Sequence, residues 1–523
     1  MENDQPVQSA ILSQRAAPIL IGLAVTAVLF ALYRPFPIGV AQDDGLYMIL
    51  AKAISTGQGY RFINLPGAPA GVHYPPGYPL LLAGLSWLSG GIPGNPFVFA
   101  AANMVLLGIA AAFAYVLARY LGMGRALAAA CVAAGFLMPP AVWMITALFS
   151  EPMWLALALP WLVWATGKER RDEIDAPSAV ALGLSAGLIT LVRTQAATLV
   201  LALVFVLAIR RQWRVASIVL LSAAAVMVPW QLWVGHHAAE IPAAVSAKYG
   251  PYFSWFVEGL RSEGPRLVTA TIARNFVASI AIVRALLAPV GPLWLATIII
   301  AAPTIAGAWR LARRSPIVLF AIAGHFAIII AWPFEPRRFI WSSWPLMMLW
   351  LVAGALELWE QAQRVRSLPA PDFKPWRVAR PLVLVDLGIL ALSAAGTSAV
   401  MLRSGAHRGI AMGQARRIGP TVEWVGQHTP PGTLVASDDE TAVFLYTGRP
   451  AVPVASFGAA EYGRGEGSSR DVFDGIVGAY HPAVAIVSWE RSVQAVARMT
   501  QGSRPLYRPL GRTQVGVVFA VNP

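Results

Sequence analysis

Long apolar stretches separated by short polar connections run through most of this sequence. A helix needs about 20 predominantly apolar residues to cross the hydrocarbon core of a bilayer, and several of these stretches approach that length. The pattern therefore predicts an all-α polytopic membrane protein with about eleven transmembrane helices. Their approximate bounds are 16–33, 96–118, 126–148, 152–166, 177–193, 196–209, 215–235, 287–309, 316–333, 339–356 and 381–402.

The pattern changes from about residue 405 onward, where apolar stretches give way to short β-rich runs and amphipathic helical patterns. We therefore expect two domains, a transmembrane domain over 1–402 and a small C-terminal α/β domain over 403–523. The acidic run at 438–440 is predicted to be a solvated loop of the second domain. The β-rich runs are Thr433–Ala436, Ala483–Val487 and Val515–Val521, and the clearest helical pattern is Arg491–Met499.

Composition supports the membrane assignment, and the placement of charge gives the topology. Apolar residues make up 57% of the chain and charged residues 13%, whereas a soluble domain has about a quarter charged residues. The net charge of +14 comes largely from basic clusters in alternate connections, which the positive-inside rule places in the cytoplasm. The charge is thus a topology signal, and we expect no nucleic-acid partner. The clusters are Arg119 and Arg125, Lys168 to Arg171, Arg210 to Arg214, Arg310 to Arg314 and Arg364 to Arg380.

The opposite side of a plasma (inner) membrane then receives the more informative polar residues. The apolar segment Tyr74–Leu88 has three prolines within its first six residues, so we expect it to lie at the outer surface. An arginine inside hydrocarbon is costly, so 177–209 is predicted to be a hairpin with Arg193 and Gln195 at its outer tip. The outer side comprises the first loop 35–95 with interfacial helices, Glu151, Arg193, a loop over 236–286, the turn Glu335–Arg338 and the C-terminal domain.

Two adjacent carboxylates, Asp43 and Asp44, open the first outer loop directly after a predicted span. Two neighbouring carboxylates raise each other's pKa, and partial burial raises the pKa of both further. A carboxylate with a raised pKa suits the role of a general base. The alternative is that an aspartate here only caps the start of a helix, and spacing alone favours that alternative. A single cysteine, Cys131, excludes an intrachain disulfide and a cysteine metal cluster.

Further charged residues on the outer side have ordinary structural explanations when each is considered alone. Ser150-Glu151-Pro152 is a plausible helix start, and Arg337 or Arg338 could anchor in lipid headgroups. Considered together, these acids and arginines would border one outer cavity. Ionisable residues at a membrane boundary are functional candidates by default.

The order and spacing of these motifs resemble the GT-C glycosyltransferases, in particular the branch with protein O-mannosyltransferases and the aminoarabinose transferases that modify lipid A. The resemblance extends to about residue 356. Threonine replaces the proline that follows the arginine in one family motif. The matching segments are Asp43-Asp44, Tyr74-Pro75-Pro76-Gly77-Tyr78-Pro79, Ser150-Glu151-Pro152, Leu191-Val192-Arg193-Thr194 and Glu335-Pro336-Arg337-Arg338-Phe339 with Pro345 beyond.

The resemblance implies sugar transfer from a polyprenyl-phosphate donor to an acceptor at the outer face of the membrane, by a single inverting displacement. Asp43 would remove a proton from the acceptor, and Asp44 would orient the base or the acceptor. Glu151 would lie across the cavity as a second polar contact of the catalytic site. The leaving phosphate needs cationic stabilisation. The candidates for it are Arg337, Arg338, Arg193 and Lys248, with Arg274 and Arg284 as further outer cations, and the candidates for substrate contacts are Tyr47, His73, Tyr74 and Glu335.

The sequence does not identify a cofactor or the acceptor. With no histidine or cysteine nearby except His73, a tight zinc site is not expected. A weakly held Mg²⁺ or Mn²⁺ at Asp43, Asp44 and Glu151 is an open alternative. The acceptor could be a glycan, a lipid or a protein. A transporter or lipid flippase for envelope polysaccharide precursors is the main alternative, although we find no repeated halves; a non-catalytic assembly protein is the third.

Overall fold

A computed structural model describes residues 16–39, 41–287, 293–366, 395–396, 399–401, 403–405, 409–454, 469–501, 506–513 and 516–521. This part of the chain is mainly helical, with a small sheet near the C-terminus, as the sequence predicts. The helices before residue 366 are α1 (Ala16–Leu32), α2 (Asp43–Ser55), α3 (Gly77–Leu85), α4 (Pro96–Tyr120), α5 (Arg125–Phe136), α6 (Pro139–Thr146), α7 (Glu151–Arg170), α8 (Ala176–Thr190), α9 (Ala197–Ile209), α10 (Trp213–His237), α11 (Ser246–Tyr249), α12 (Tyr252–Glu263), α13 (Pro265–Leu287), α14 (Leu293–Arg314), α15 (Pro316–Ala331), α16 (Arg337–Ser342) and α17 (Trp344–Arg366).

Within the described residues, three helices are long and apolar enough to cross a membrane: α4, α13, and α10 with the turn that follows it. The pair α5 and α6 passes the same test as one span bent by 49°, so the block 126–148 is broken at residues 137–138. Four further apolar helices are shorter, α1, α8, α15 and α9 with the turn before it. The count of eleven spans stays a prediction, and the eleventh block, 381–402, falls largely outside the described residues.

The predicted outer loop over 236–286 was wrong in one respect, because it contains the 23-residue helix α13. The middle of α13 contacts the turn that follows α15: Asn275 donates hydrogen bonds to the carbonyl oxygens of Trp332 and Phe334. This helix was not predicted from the sequence because three arginines interrupt its apolar positions. The predicted break at Arg193 is present, between α8 and α9.

Local sequence explains where several helices begin. Asn95 accepts a hydrogen bond from the Phe97 N–H at 3.0 Å, and Asp175 accepts one from the Ser178 N–H at 3.0 Å. A proline occupies the first turn of both helices, where its missing N–H costs nothing. Side-chain caps of this kind contribute about 0.5–2 kcal/mol.

Helices α8 and α10 pack closely because α8 carries glycine at two positions one turn apart. A methyl group at Gly183 would lie 2.8 Å from Ser222 Cβ, and one at Gly187 would lie 2.9 Å from the carbonyl oxygen of Ala223. Small residues spaced in this way allow helix backbones to approach in a membrane.

The basic connections meet at one end of the helical domain. Helix α7 has Glu151 at its first position and Arg170 at its last, and a helix of 20 residues is about 30 Å long. The basic end and the acidic end of α7 are therefore separated by about the thickness of a bilayer core. The contacts at the basic end join Arg310 to Leu121 O, Glu357 and Glu360, Arg170 to Tyr120 O, and Arg210 to Glu169.

The C-terminal domain is an α/β unit with a five-stranded sheet in the order β2-β1-β3-β5-β4. The first three strands are parallel, and β5 and β4 are antiparallel. The predicted runs correspond to β1, β3 and β5, whereas β2 and β4 were missed. Both are edge strands, and both contain proline, which is typical of edges. The elements are α18 (Gly409–His428), β1 (Val435–Ser437), α19 (Glu440–Thr447), β2 (Ala451–Pro453), α20 (Ser469–Tyr480), β3 (Val484–Val487), α21 (Glu490–Arg498), β4 (Tyr507–Arg512) and β5 (Val517–Val521).

The prediction of a solvated loop at 438–440 was wrong, because all three acidic side chains are buried. Asp438 accepts hydrogen bonds from the N–H groups of Ser488 and Trp489 at 2.8 and 3.0 Å. Asp439 forms two hydrogen bonds with Arg417. Glu440 pairs with a lysine of the membrane domain, as described below. Charge runs are usually solvated, but each of these acids has its own partner, so burial is compensated.

Candidate active site

Asp43 and Asp44 follow a strained turn at the start of α2. Gln42 has φ 63° and ψ −53°, and the Asp43 N–H donates to the carbonyl oxygen of Ala41 at 2.8 Å, which closes a γ-turn. A non-glycine residue in such a conformation costs about 1–3 kcal/mol and persists only where its surroundings hold it. Asp44 holds this turn, because its carboxylate accepts the N–H groups of Gly39 and Ala41 at 2.8 and 3.0 Å.

The two aspartates therefore have different surroundings. Asp44 is 1% exposed and bonded to backbone, whereas the Asp43 side chain is 28% exposed. Burial by itself raises the pKa of Asp43, but the neighbouring Arg338 guanidinium outweighs it and holds the pKa below its ordinary value. Burial raises the pKa of Asp44 to about 7. Asp43 is thus an accessible carboxylate and Asp44 a buried one.

Arg338, in the short helix α16, lies between two carboxylates that are distant in sequence. Its Nη1 donates to Asp43 Oδ2, and its Nε donates to Glu151 Oε1 at 3.1 Å. Its guanidinium also lies 3.7 Å from the centre of the Phe149 ring. These carboxylates raise the pKa of Arg338 well above its ordinary value despite burial, so this arginine is a permanent cation.

Glu151 is fully buried and has a second arginine. Arg193 Nη1 lies 3.0 Å from Glu151 Oε2, and it also donates to Ser150 Oγ at 3.0 Å. Gln195 Oε1 accepts from the Arg193 guanidinium at 3.1–3.2 Å. Arg193 reaches this position because the chain is broken between α8 and α9. We call Asp43, Glu151, Arg193 and Arg338 the acid–arginine cluster; it carries two negative and two positive charges.

Aromatic side chains border the cluster on the side of the first outer loop. The rings of Tyr47 and Tyr74 are 4.4 Å apart, and those of His73 and Tyr252 are 4.2 Å apart. The Tyr47 hydroxyl lies 3.1 Å from Ser150 Oγ, which connects this aromatic wall to the cluster. His73 Nδ1 lies 2.6 Å from the carbonyl oxygen of Gly250, and burial lowers the pKa of His73, so its ring is neutral at pH 7.

A mainly apolar cavity of about 430 Å³ lies beyond this wall. His73 and Tyr252 belong both to the aromatic wall and to the cavity lining. The acid–arginine cluster and the apolar cavity are therefore neighbours. The other lining residues are Val72, Thr194, Trp230, Gln231, Val234, Pro251, Phe256, Ile328, Ala331 and Trp332.

Three of the predicted site residues lie outside the cluster and have other partners. Arg337 and Glu335 form an exposed ion pair at 2.9 Å, although Arg337 is adjacent to Arg338 in sequence. Lys248 Nζ lies 2.5 Å from Glu440 Oε1 of the C-terminal domain. Each of these two cations pairs with a carboxylate outside the acid–arginine cluster.

A divalent cation would need the same carboxylates that Arg338 bridges. The described residues contain no group of three or more His, Cys, Asp or Glu side chains arranged to hold a metal ion. Mg²⁺ or Mn²⁺ at Asp43 and Glu151 would have to displace the guanidinium between them. The residues present therefore fit a cluster held by arginine better than a metal centre.

Several residues that complete the site were not predicted from the sequence. Phe149 and Tyr252 have no motif, and only their position in space relates them to Arg338 and His73. Ser150 was noted only as a helix start and Gln195 only as part of a hairpin tip. The pairing of Ser150 with Arg193 depends on contact between segments that are 43 residues apart, which no spacing in the sequence encodes, whereas Gln195 is only two residues from Arg193.

Comparisons with known proteins give similarity at the level of structure. Neither the protein-family models nor the curated proteins gave a match. ArnT from Cupriavidus metallidurans bound to undecaprenyl phosphate is similar to this chain with a TM-score of 0.49 and 15% identity, over 97% of this chain and 98% of that one. Its apo structure gives a TM-score of 0.47 and 15% identity, over 98% and 100%. ArnT belongs to the branch that the sequence motifs resemble. At this level the similarity concerns the course of the chain, and the roles of individual residues do not follow from it.

Proposed function

We propose that this protein is an integral membrane glycosyltransferase that transfers a sugar from a polyprenyl-phosphate donor to an acceptor at the outer face of the membrane. One observation carries the proposal: the accessible carboxylate of Asp43 shares the Arg338 guanidinium with the buried carboxylate of Glu151. A base and a phosphate-binding cation thus lie within hydrogen-bond distance of each other, beside an apolar cavity.

Arg338 and Arg193 bind the donor phosphate in this proposal. Both guanidiniums pair with Glu151, so the buried acid fixes their positions and leaves other N–H groups for a ligand. A guanidinium holds two phosphate oxygens at once, which suits a group that gains negative charge as it leaves. Arg337 and Lys248 have carboxylate partners of their own, and we assign them secondary roles.

Binding of the phosphate also prepares the base. When a phosphate oxygen replaces Asp43 at Arg338, the carboxylate loses the cation that lowers its pKa and becomes a stronger proton acceptor. Asp43 then takes the proton of the acceptor hydroxyl or amine. The acceptor atom attacks the anomeric carbon, the bond from that carbon to the phosphate oxygen breaks, and the electron pair leaves with the phosphate. Arg338 and Arg193 stabilise the resulting charge.

The remaining residues position the reactants. Asp44 holds the turn from which Asp43 projects, and Tyr47 supports Ser150 beside Arg193. We propose that His73 and Tyr74 contact the sugar or the acceptor, that the cavity lined by Trp230, Tyr252 and Phe256 receives the first isoprene units, and that Glu335 lies at the rim of the site.

The test is release of polyprenyl phosphate from a panel of polyprenyl-phosphate sugars, with wild-type protein and Asp43→Asn purified in detergent. Because asparagine keeps the shape but does not accept the proton, we expect turnover to fall by about 10²–10⁴-fold. Binding of undecaprenyl phosphate should stay at least as tight, since Asp43 no longer competes for Arg338. Undecaprenol, which lacks the phosphate, is the control ligand.

Two results would contradict the proposal. Unchanged turnover in correctly inserted Asp43→Asn would remove Asp43 from the mechanism. If no donor in the panel were cleaved but intact donor crossed the bilayer of proteoliposomes, the protein would be a flippase.

A further inference from the structure

The C-terminal domain contacts the membrane domain directly behind the acid–arginine cluster, mainly through helix α19. The first six residues of α19, Glu440–Leu445, are all buried. Two separate parts of the membrane domain lie against this helix: the turn that carries Asp43 and Asp44, and the segment 246–249. The helix that contacts the candidate site therefore comes from the other domain.

Glu440 joins α19 to the segment that carries Lys248. Its Oε1 accepts a hydrogen bond from the Tyr249 hydroxyl at 3.0 Å and lies 2.5 Å from Lys248 Nζ. The Tyr249 hydroxyl in turn accepts a hydrogen bond from Asn64 Nδ2 at 2.9 Å. Asn64 belongs to the first outer loop, and its carbonyl oxygen accepts the N–H of Ala451 at 2.8 Å. Glu440, Tyr249, Asn64 and Ala451 are all buried. Together they join the first outer loop, the segment 246–249 and the C-terminal domain.

Thr441 and Tyr446 contact the acidic turn itself. A methyl group added at Gly45 would lie 2.5 Å from Thr441 Cβ, which is shorter than any ordinary carbon–carbon contact, so only glycine fits here. The Tyr446 hydroxyl accepts the N–H of Ile38 at 2.8 Å. Contacts with α19 therefore occur on both sides of the strained residue Gln42, and they limit where Asp43 can lie.

We propose that helix α19 of the C-terminal domain is a positioning element of the membrane site, in which Thr441 and Tyr446 hold the backbone that carries Asp43 while Glu440 holds the Lys248–Tyr249 segment. This inference rests on the proposed function, because it assigns α19 a role in the transfer reaction. None of its residues touches the reacting atoms in this scheme. They act through the backbone of residues 38–39 and 41–46.

The test uses the close contact between Gly45 and Thr441. Gly45→Ala should displace the start of α2 and lower kcat by about 10²-fold, the effect of misplacing a catalytic group by about 1 Å. Binding of undecaprenyl phosphate should change little, since Arg338 and Arg193 are on other helices. Adding Thr441→Gly removes the Cβ that causes the clash and should restore most of the turnover. Adding Thr441→Ala keeps that Cβ and should not.

Hydrogen–deuterium exchange of residues 38–46 supplies a readout that does not depend on chemistry. We expect faster exchange in Gly45→Ala and in Gly45→Ala/Thr441→Ala, and near wild-type exchange in Gly45→Ala/Thr441→Gly. The proposal is overturned if Gly45→Ala has wild-type turnover, or if Thr441→Gly restores neither exchange nor turnover. If wild-type protein cleaves no donor, the transferase proposal fails, and the exchange pattern alone decides whether α19 positions the acidic turn.

Discussion

Arg337 and Arg338 are adjacent in sequence, yet they have different surroundings. The Arg338 side chain is 21% exposed and pairs with Asp43 and Glu151, whereas the Arg337 side chain is 51% exposed and pairs with Glu335. A helical turn of a few residues directs one guanidinium into the site and the other to the surface. Two residues of the same type therefore form a matched pair for mutagenesis.

We expect Arg338→Lys to weaken the binding of undecaprenyl phosphate, because a lysine ammonium does not reproduce the two-oxygen contact of a guanidinium. The loss of a charge-assisted hydrogen bond costs about 1.5–3 kcal/mol, which is about 10- to 100-fold in Kd. Arg337→Lys should bind like wild type. The measurement is ligand binding to detergent-purified protein, and equal affinities for both variants would assign the turn a membrane-anchoring role only.

The different pKa values of the two aspartates predict the pH dependence of turnover. The pKa of Asp43 lies below its ordinary value, so Asp43 is ionised throughout the range from pH 5 to 8. The pKa of Asp44 is about 7, so this residue titrates within that range. If Asp43 is the base, kcat/KM, which reports the pKa values of the free enzyme, should have no acid limb near pH 7 when it is measured from pH 8 to 5, and Asp44→Asn should leave the profile flat. An acid limb near pH 7 in the wild type, together with loss of activity in Asp44→Asn, would make Asp44 the base.

Much of the candidate site could be predicted at the level of residue type, but its pairings could not. Asp43, Glu151, Arg193 and Arg338 were all candidates from motifs, and the fold brings these four together. Lys248 and Arg337 matched the same chemical criteria, yet both pair with other carboxylates. An arginine or lysine on the outer side is visible in the sequence, whereas its partner depends on which helices pack together.

Helix α8 illustrates how elements pack when hydrophobicity does not distinguish one neighbour from another. In a bilayer, lipid tails are as apolar as leucine, so close van der Waals contact decides which helices associate. Gly183 and Gly187 supply that contact with α10. Helix α3 carries a glycine, Gly84, with nothing within 4 Å of the position of its missing Cβ.

Gly187→Ala should therefore destabilise the protein, because its methyl group would lie 2.9 Å from the carbonyl oxygen of Ala223. Overpacking of this kind costs about 1–3 kcal/mol. The same substitution at Gly84 meets open space and should stabilise its helix slightly, since alanine is the better helix former. Thermal unfolding in detergent compares the two variants. A Gly187→Ala midpoint at or above that of Gly84→Ala would show that α8 and α10 do not pack as described.

Most long apolar helices could be predicted from the sequence. Helix α13 and strands β2 and β4 were not predicted, and each omission has a physical reason. Continuous apolar stretches located α4, α7 and α10 to within a few residues. Helix α13 was missed because Arg266, Arg274 and Arg284 interrupt it. Strand β2 was missed because it has only three residues, one of them proline. Strand β4 was missed because only its first residue, Tyr507, is buried, so it lacks an apolar pattern.

At the scale of the whole molecule, the basic end and the acid–arginine cluster occupy opposite ends of α7. The C-terminal domain contacts Gly45 and Lys248, so it lies at the end with the cluster. The positive-inside rule then predicts that this domain is outside the cytoplasm. A reporter fused after residue 170, 212 or 312 should report cytoplasm, and one at residue 60 or at the C-terminus should report the outside. A cytoplasmic C-terminus would reverse the side on which the site opens.

The contact between α19 and the first outer loop also has a consequence for biogenesis. Ile38 and Tyr446 are 408 residues apart in sequence, and ribosomes add about 5–20 residues per second. On the order of 20–80 s therefore pass between the synthesis of the first outer loop and the synthesis of α19. Until then Tyr249 lacks the Glu440 carboxylate, and the carbonyl oxygen of Asn64 lacks the Ala451 N–H group, which bond to them in the finished protein. In pulse-chase labelling, we expect the first loop to resist protease only after α19 has emerged, so nascent chains and chains truncated before residue 440 would be prime substrates for membrane quality-control proteases.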